Sequence, residues 1–174
     1  MAMSVYMRNL RAHIGSARLL VPSVTGIVRA SGGRVLLVRQ SDDRRWSTPG
    51  GAIEPDESPA DAVVREMWEE TGLVVAPRRV IAVHGGSSFV VRYPNGDETQ
   101  YISTIFECDV IAGALRADGE EIEAAQYLTL SEASRLPLAS WLPEILPRLF
   151  EATEQTWFSP STWRPETGAP PAAR

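Results

Sequence analysis

The chain has 174 residues, of which 44% are hydrophobic, and this is enough for one sizeable core but not for two. Its formal net charge of −5 argues against nucleic acid and anionic membranes as partners, because an acidic surface repels both. The single cysteine, Cys108, excludes an internal disulfide, and its apolar surroundings predict a buried thiol. Neither a signal peptide nor an apolar run of the ~20 residues that span a membrane is visible, so we expect a cytoplasmic protein.

The first forty residues predict an extension followed by a hairpin. Residues 1–20 are interpreted as an N-terminal extension, with a weak helical pattern over 4–14. Residues 22–30 and 34–40 are short aliphatic and β-branched runs separated by Ser-Gly-Gly, which is typical of a hairpin with a tight turn. The main domain is therefore expected to begin near residue 21 and to extend to residue 158.

A glycine pair and a well-marked helix follow a charged loop. The stretch W-S-T-P-G-G ends in Gly50 and Gly51, which allow the backbone to approach a ligand closely. Ser58 suits the N-cap of a helix, Pro59 its first position and Gly72 the left-handed residue after its end. A helix over residues 59–71 is predicted.

This helix carries Arg65 followed by three glutamates, Glu66, Glu69 and Glu70, on the face opposite its apolar residues. Such runs are most often solvated helix faces. However, like charges at i and i+4 destabilise a helix, and a bound cation would remove that cost. Carboxylate oxygens favour Mg²⁺, Mn²⁺ or Ca²⁺ over zinc, and of these Mg²⁺ and Mn²⁺ suit phosphate chemistry.

The second half predicts more strands. Residues 79–83 read as a strand preceded by a break at Pro77, and His84 is expected in a loop, where a contact with substrate is the less favoured interpretation. Residues 89–93 and 99–110, joined through Pro-Asn-Gly-Asp, give the clearest hairpin pattern in the chain.

The C-terminal third predicts two helices and a tail. Residues 118–123 form a second acidic cluster, before a short strand over 125–130. Helices are predicted over 131–136, capped by Ser131, and over 142–154. From residue 159 onward the Pro, Gly, Ala and Thr content indicates a loose tail. The fold expected from these elements is α+β, with a mixed sheet between the 59–71 helix on one face and the C-terminal helix on the other.

The segment around the glutamates resembles the signature of the Nudix (MutT-like) hydrolases, G-x5-E-x7-R-E-U-x-E-E-x-G-U, where U is a bulky aliphatic residue. The positions that match it are Gly51, Glu57, Arg65, Glu66, Met67, Glu69, Glu70, Gly72 and Leu73. The resemblance implies a Nudix α/β/α sandwich and a pyrophosphohydrolase. Many family members have a glycine where this chain has Asp56, a difference expected to alter the loop without touching a signature position.

The resemblance also assigns expected roles to the site residues. Glu66, Glu69 and Glu70 are expected to hold Mg²⁺, with Mn²⁺ as the other candidate, and activated water would then attack a phosphorus atom of the diphosphate. The resemblance implies that Glu57 pairs with Arg65 and that it binds the metal ion through a water molecule. A backbone carbonyl of Gly50 or Gly51 is implied as a further ligand.

The general base is left open by the sequence. Glu69 or Glu66 is the first choice. Some family members take the base from a later loop, which makes Glu121, ahead of Glu120, the second choice.

The expected substrate is a nucleoside diphosphate linked to another moiety. The leading candidates are ordinary or oxidised nucleoside triphosphates and ADP-ribose, and the sequence leaves a homodimer open. Two other interpretations are weaker: a Nudix-fold sensor that binds a nucleotide without hydrolysing it, and an acidic Ca²⁺-binding structural domain.

Overall fold

The computed structural model of the protein describes residues 4–93 and 95–164. In these residues the chain forms four helices and eight strands, in the order α1 (Val5–Ile14), β1 (Leu19–Ala30), β2 (Arg34–Gln40), β3 (Trp46–Ser47), α2 (Pro59–Thr71), β4 (Leu73–His84), β5 (Val90–Arg92), β6 (Glu98–Gly113), β7 (Ile122–Leu128), α3 (Leu130–Ala133), α4 (Leu142–Phe150) and β8 (Trp157–Phe158). No helix of the described part of the chain is both long and apolar enough to cross a membrane.

The strands form one mixed sheet with the order β3-β2-β1-β6-β4-β8, to which β5 is added beside β6 and β7 beside β2. The central pair, β1 and β6, is parallel from Leu19 opposite Thr99 to Val28 opposite Cys108. β4 pairs with the other edge of β6 in the antiparallel direction. Cys108 is buried in this central strand, as predicted.

The segment before α2 is held against the middle of β1. β1 and β2 pair only next to the turn that connects them. Away from this turn, the middle of β1 forms its hydrogen bonds with residues 49–53 instead. The N–H of Val24 donates to the carbonyl of Gly51 at 2.9 Å, and the N–H of Gly26 donates to that of Pro49 at 3.0 Å. The glycine turn is thereby fixed to the most rigid part of the sheet.

Helices cover both faces of the sheet, as predicted. One face packs against α2 through buried residues that include Val24, Val28, Leu36, Val63 and Met67. The opposite face packs against α4 through residues that include Ile27, Leu37, Ile105, Leu142, Ile145 and Leu149. Neighbouring strand residues such as Leu36 and Leu37 therefore serve opposite cores, and each large side chain contributes about 1.5–3 kcal/mol by its burial.

A half-buried ion-pair group crosses three strands. Glu107 of β6 accepts hydrogen bonds from the Nε atoms of Arg29 on β1, at 2.9 Å, and Arg79 on β4, at 2.7 Å. Burial raises the pKa of Glu107, but the hydrogen bonds from the two arginines outweigh this and hold the pKa below its usual value. The carboxylate therefore stays ionised between its partners.

Two predicted strand limits are wrong. β4 runs through Pro77 without a break, because the pairing register with β6 shifts between Pro77 and Arg79 and such an irregularity tolerates a residue without an N–H. His84 is not a loop residue but the last residue of β4, and it is buried.

The predicted helix limits near the C-terminus also differ from the structure. α3 is capped by Thr129 rather than Ser131, through a capping box in which Thr129 and Glu132 bond to each other's backbone N–H groups. α4 ends at Phe150 instead of residue 154, because Glu151 has extended backbone angles. The turn at residues 95–96 forms as predicted. Pro94 and residues 165–174 of the expected tail lie outside the described residues.

Candidate active site

The ends of α2 are set by local interactions. The Ser58 hydroxyl accepts a hydrogen bond from the Asp61 N–H at 3.1 Å, and Pro59 occupies the first turn, where its missing N–H costs nothing. Gly72 ends the helix in the left-handed conformation, with φ 69°, and its N–H donates to the Trp68 carbonyl. The helix therefore begins and ends where the sequence predicts, with its acidic residues at fixed angular positions.

Arg65 organises three of the acidic side chains. Its Nε and Nη2 atoms donate to the two carboxylate oxygens of Glu57 at 2.7 and 2.9 Å, a bidentate pair. Its Nη1 atom donates to Glu66 Oε1 at 2.8 Å and to Glu69 Oε2 at 3.0 Å. The hydrogen bond from Arg65 lowers the pKa of Glu57. One guanidinium thus orients three carboxylates.

Glu70 is bound to the glycine turn instead. Its side chain is 2% exposed, and its Oε2 atom accepts a hydrogen bond from the Gly50 N–H at 3.0 Å. Its Oε1 atom is buried without a hydrogen-bond partner. Burial, followed by the nearby charge of Glu66, raises the pKa of Glu70 well above its usual value. Burial also raises the pKa of Glu66, even though Arg65 contacts it.

The two glycines leave no room for a side chain. Gly50 has φ 146°, and a Cβ atom there would lie 2.2 Å from the Val24 carbonyl oxygen. A Cβ atom on Gly51 would lie 2.5 Å from Glu66 Oε1. The backbone of the turn consequently packs directly against the carboxylates of Glu66 and Glu70.

The second acidic cluster lies near the first. The Asp118 carboxylate accepts hydrogen bonds from the backbone N–H groups of residues 120–122 at 2.7–3.0 Å and so shapes this loop. The charge of Glu121 contributes to the raised pKa of both Glu66 and Glu70. The fold therefore brings Glu121 into the electrostatic field of the α2 glutamates from a position about fifty residues later in the chain.

The acidic residues fit a hard divalent cation, although they are not preassembled as a metal site. Among residues 4–93 and 95–164, no three His, Cys, Asp or Glu side chains are grouped closely enough to hold a metal ion. Arg65 accounts for part of this, because it holds one oxygen each of Glu66 and Glu69. The unpartnered oxygen of Glu70, buried beside Glu66, is an oxygen donor without a counter-charge, and Mg²⁺ prefers such donors.

A cleft of about 700 Å³ opens beside the glycine turn, within the usual size range of small-molecule sites. Its lining includes Gly50 and Gly51 at one end and the β5 residues 90–92 at the other. Phe89 and Trp141 form part of its wall, with their rings stacked at a centroid distance of 4.3 Å. The glycine turn that contacts the carboxylates of Glu66 and Glu70 thus lines the same cleft as this aromatic wall.

His84 lies behind this wall and does not line the cleft. It is 1% exposed, its ring nitrogens have no hydrogen-bond partner, and its ring centroid lies 5.5 Å from that of Phe89 and 6.1 Å from that of Trp141. Burial lowers its pKa, and the charge of Glu144 partly opposes this effect. The sequence did not predict this position, because the partners of His84 are remote in the chain.

Known proteins with similar sequences cover most of the domain. A MutT-like protein of Streptomyces ambofaciens is 33% identical over 112 residues, which are 64% of this chain and 66% of that protein. An ADP-ribose pyrophosphatase of Methanocaldococcus jannaschii is 32% identical over 116 residues, which are 66% of this chain and 64% of that protein. In both cases the matched segment spans slightly less than two thirds of the relative's own length.

Solved structures agree with the fold. The crystal structure of an ADP-ribose pyrophosphatase from Streptococcus suis 89-1591 superposes with a TM-score of 0.63 at 25% sequence identity, covering 80% of this chain and 96% of that one. The sequence model of the NUDIX domain matches residues 19–149, from the start of β1 to the last turn of α4. Because that match spans three quarters of the chain, the chain belongs to the Nudix family, and the predicted family and α+β fold class are confirmed.

Proposed function

We propose that this protein is a divalent-metal-dependent pyrophosphohydrolase that cleaves the diphosphate of a nucleoside diphosphate linked to another moiety. The observation that carries the proposal is the position of Glu66 and Glu70. Both carboxylates are largely removed from solvent and contact the glycine turn that lines a nucleotide-sized cleft, and one oxygen of Glu70 has no partner. Such an arrangement is costly unless a cation and its anionic ligand complete it.

Glu66, Glu69 and Glu70 would hold the cation, with Glu57 and a carbonyl of Gly50 or Gly51 as additional oxygen donors. Mg²⁺ bound there, or Mn²⁺ in its place, supplies a Lewis acid that screens the charge of the diphosphate and lowers the pKa of water.

The protein's own groups position the carboxylates. The bidentate bond of Arg65 to Glu57 fixes the guanidinium, which in turn orients Glu66 and Glu69 through Nη1. The N–H of Gly50 independently holds one oxygen of Glu70. The cleft excludes part of the bulk water around the diphosphate and binds the remainder of the substrate against its aromatic wall.

A glutamate oxygen accepts the proton that the attacking water loses. Glu66 and Glu69 remain the first candidates, and the Nη1 atom of Arg65 orients one oxygen of each. Glu121 is the alternative, and its electrostatic contact with Glu66 and Glu70 supports it. In each case the water oxygen forms a bond to phosphorus and the bridging P–O bond breaks. ADP-ribose would give two phosphate monoesters, and a nucleoside triphosphate cleaved between its α- and β-phosphates would give a nucleoside monophosphate and pyrophosphate.

ADP-ribose is the first substrate that we propose. A relative at 32% identity and a solved structure at 25% identity are both named ADP-ribose pyrophosphatases, and these names support the choice. Oxidised and ordinary nucleoside triphosphates form the second group.

The test is monoester and phosphate release with Mg²⁺ across ADP-ribose, nucleoside triphosphates, dinucleoside polyphosphates and nucleotide sugars. Glu70→Gln should reduce turnover on the order of 10³-fold. Glu154→Gln, at an exposed position outside the cleft, is the matched control and should retain wild-type turnover.

Two results would contradict the proposal. Near-normal turnover of the Glu70→Gln protein would remove the metal-site assignment. Tight binding of a nucleotide by the wild-type protein, with no turnover of any substrate, would instead indicate a Nudix-fold sensor.

A further inference from the structure

The N-terminal helix α1 is attached to the domain mainly by one polar side chain. Arg11 is the buried residue of α1, whereas the apolar Val5 and Tyr6 are 65% and 46% exposed. Met7 and Leu10 are half-buried but belong to neither hydrophobic core, so the apolar packing of this helix is limited. A buried guanidinium is costly unless it is paired, so the position of α1 depends on what Arg11 contacts.

Arg11 joins two segments that are remote in the chain. Its Nη1 atom donates to the carbonyls of Gly15 and Ala17, at 3.2 and 2.7 Å, and so closes the end of its own helix. Its Nη2 atom donates to the carbonyl of Glu98 at 2.7 Å and to the Thr99 hydroxyl at 3.0 Å, both at the start of β6. Its Nε atom also lies 3.6 Å from the Asp97 carboxylate, so four hydrogen bonds and one ion pair hold this side chain between α1 and the β5–β6 hairpin.

A second contact between the same segments lies at the cleft. The Glu98 carboxylate accepts hydrogen bonds from the Nε and Nη2 atoms of Arg18, at 3.1 and 3.0 Å, and from the Nε atom of Arg92 at 2.7 Å. Arg18 and Arg92 both line the cleft, at the end away from the α2 glutamates. The segment that precedes the NUDIX match thus contributes directly to the cleft wall.

The wall that depends on these contacts is thin. All three residues of β5, Val90–Arg92, line the cleft, and a strand of this length is marginal unless it is supported. β5 pairs with β6 at the point where Arg11 binds the β6 backbone. Displacement of α1 would therefore release the outer end of the cleft while the glycine turn and α2 stay in place.

We propose that α1 supports the outer part of the substrate site from behind β5 and β6, and that Arg11 is the positioning residue that sets substrate affinity through β5. This proposal rests on the proposed function for the identity of the substrate. The outer end would contact the moiety beyond the diphosphate, so Arg11 acts on binding and the α2 glutamates act on turnover.

The test compares Arg11→Met, which removes the guanidinium but keeps an unbranched apolar stem, with Asn9→Met on the exposed side of the same helix. If the cleft wall of Arg11→Met can bind substrate in only about a tenth of the molecules, the KM for ADP-ribose rises roughly 10-fold while kcat stays within about twofold. Hydrogen exchange should become faster at residues 5–14 and 90–92 but not at residues 59–71. Asn9→Met should match the wild type, and Arg11→Lys should fall between the wild type and Arg11→Met.

Thr99→Val removes one acceptor with little change in shape, and it serves if Arg11→Met does not fold. Its expected effect is a rise in KM of roughly 2- to 4-fold. A wild-type KM in the folded variants, or a fall in kcat with unchanged KM, would overturn the proposal. If the wild-type protein hydrolyses nothing, only the proposed function fails, because hydrogen exchange still tests the role of Arg11. Unchanged exchange at residues 90–92 in Arg11→Met would overturn that role, and faster exchange there would support it.

Discussion

Replacement of Glu70 by glutamine removes a buried charge and should stabilise the protein when no divalent cation is present. Glu70 is 2% exposed, and only its Oε2 atom has a partner, the N–H of Gly50. Glutamine keeps a polar atom at the unpartnered position, so the gain comes from the lost charge, which burial and the charge of Glu66 both disfavour. Glutamine keeps an acceptor for the Gly50 N–H. We expect the free energy of unfolding to rise by about 1–2 kcal/mol, or the Tm by roughly 2–8 °C for a chain of this size.

The assay is urea and thermal unfolding of both proteins, first in a chelator and then with increasing Mg²⁺. A cation at 100 times its Kd stabilises the wild type by about 2.7 kcal/mol through mass action, and the variant should gain much less. Glu154→Gln, at an exposed position, should behave as the wild type in both conditions. The reasoning is refuted if Glu70→Gln is less stable than the wild type in the chelator, or if Mg²⁺ stabilises the two proteins equally.

Three further substitutions test other parts of the structure. Glu107→Gln should lower the free energy of unfolding by about 1–3 kcal/mol at neutral pH, because two arginines lose their charged acceptor. Since the folded-state pKa of Glu107 lies below the usual 4.5, the greater stability of the wild type should be lost as the pH falls below that value. A difference in the free energy of urea unfolding that stays constant with pH would contradict the assignment. Gly51→Ala places a Cβ atom 2.5 Å from Glu66 Oε1, so we expect kcat to fall by roughly 10-fold or more in the hydrolysis assay, and wild-type kinetics would show that the turn can adjust. Asp56 has φ 69°, so Asp56→Gly should raise the free energy of unfolding by up to about 1 kcal/mol in thermal unfolding, and a lower Tm would mean that the aspartate side chain stabilises the loop.

The parts of the site that sequence reasoning predicts are those fixed by neighbours in the chain. Ser58 and Gly72 mark the ends of α2 because caps depend on residues within one turn. The contact of Arg65 with Glu69 follows from their i,i+4 spacing on one helix, whereas the contact with its neighbour Glu66 does not. The bond between Gly50 and Glu70 joins residues twenty positions apart, and the resemblance to a family pointed to it only through the glycine pair.

The features that the sequence did not reveal depend on partners that are remote in the chain. Arg11 is buried because β6 supplies acceptors at Glu98 and Thr99, so its surroundings could not be read from the weak helical pattern around it. His84 looks like a loop residue beside two glycines, but Trp141 and other rings enclose it. The Thr129 cap of α3 is different, since its T-x-x-E pattern was readable and the prediction missed it.

The parallel pairing of β1 with β6 at the centre of the sheet has a consequence for how the chain folds. These strands are about eighty residues apart in sequence, so the chain must lose the entropy of a long open loop before their hydrogen bonds can form. On the ribosome, β1 and α2 emerge well before β6 is complete, and the apolar residues from Val21 to Val28 then lack the strand that covers their edge. The protein should therefore fold late, after most of the domain has been synthesised, and slow refolding with exposure to aggregation is the expected kinetic signature of this topology.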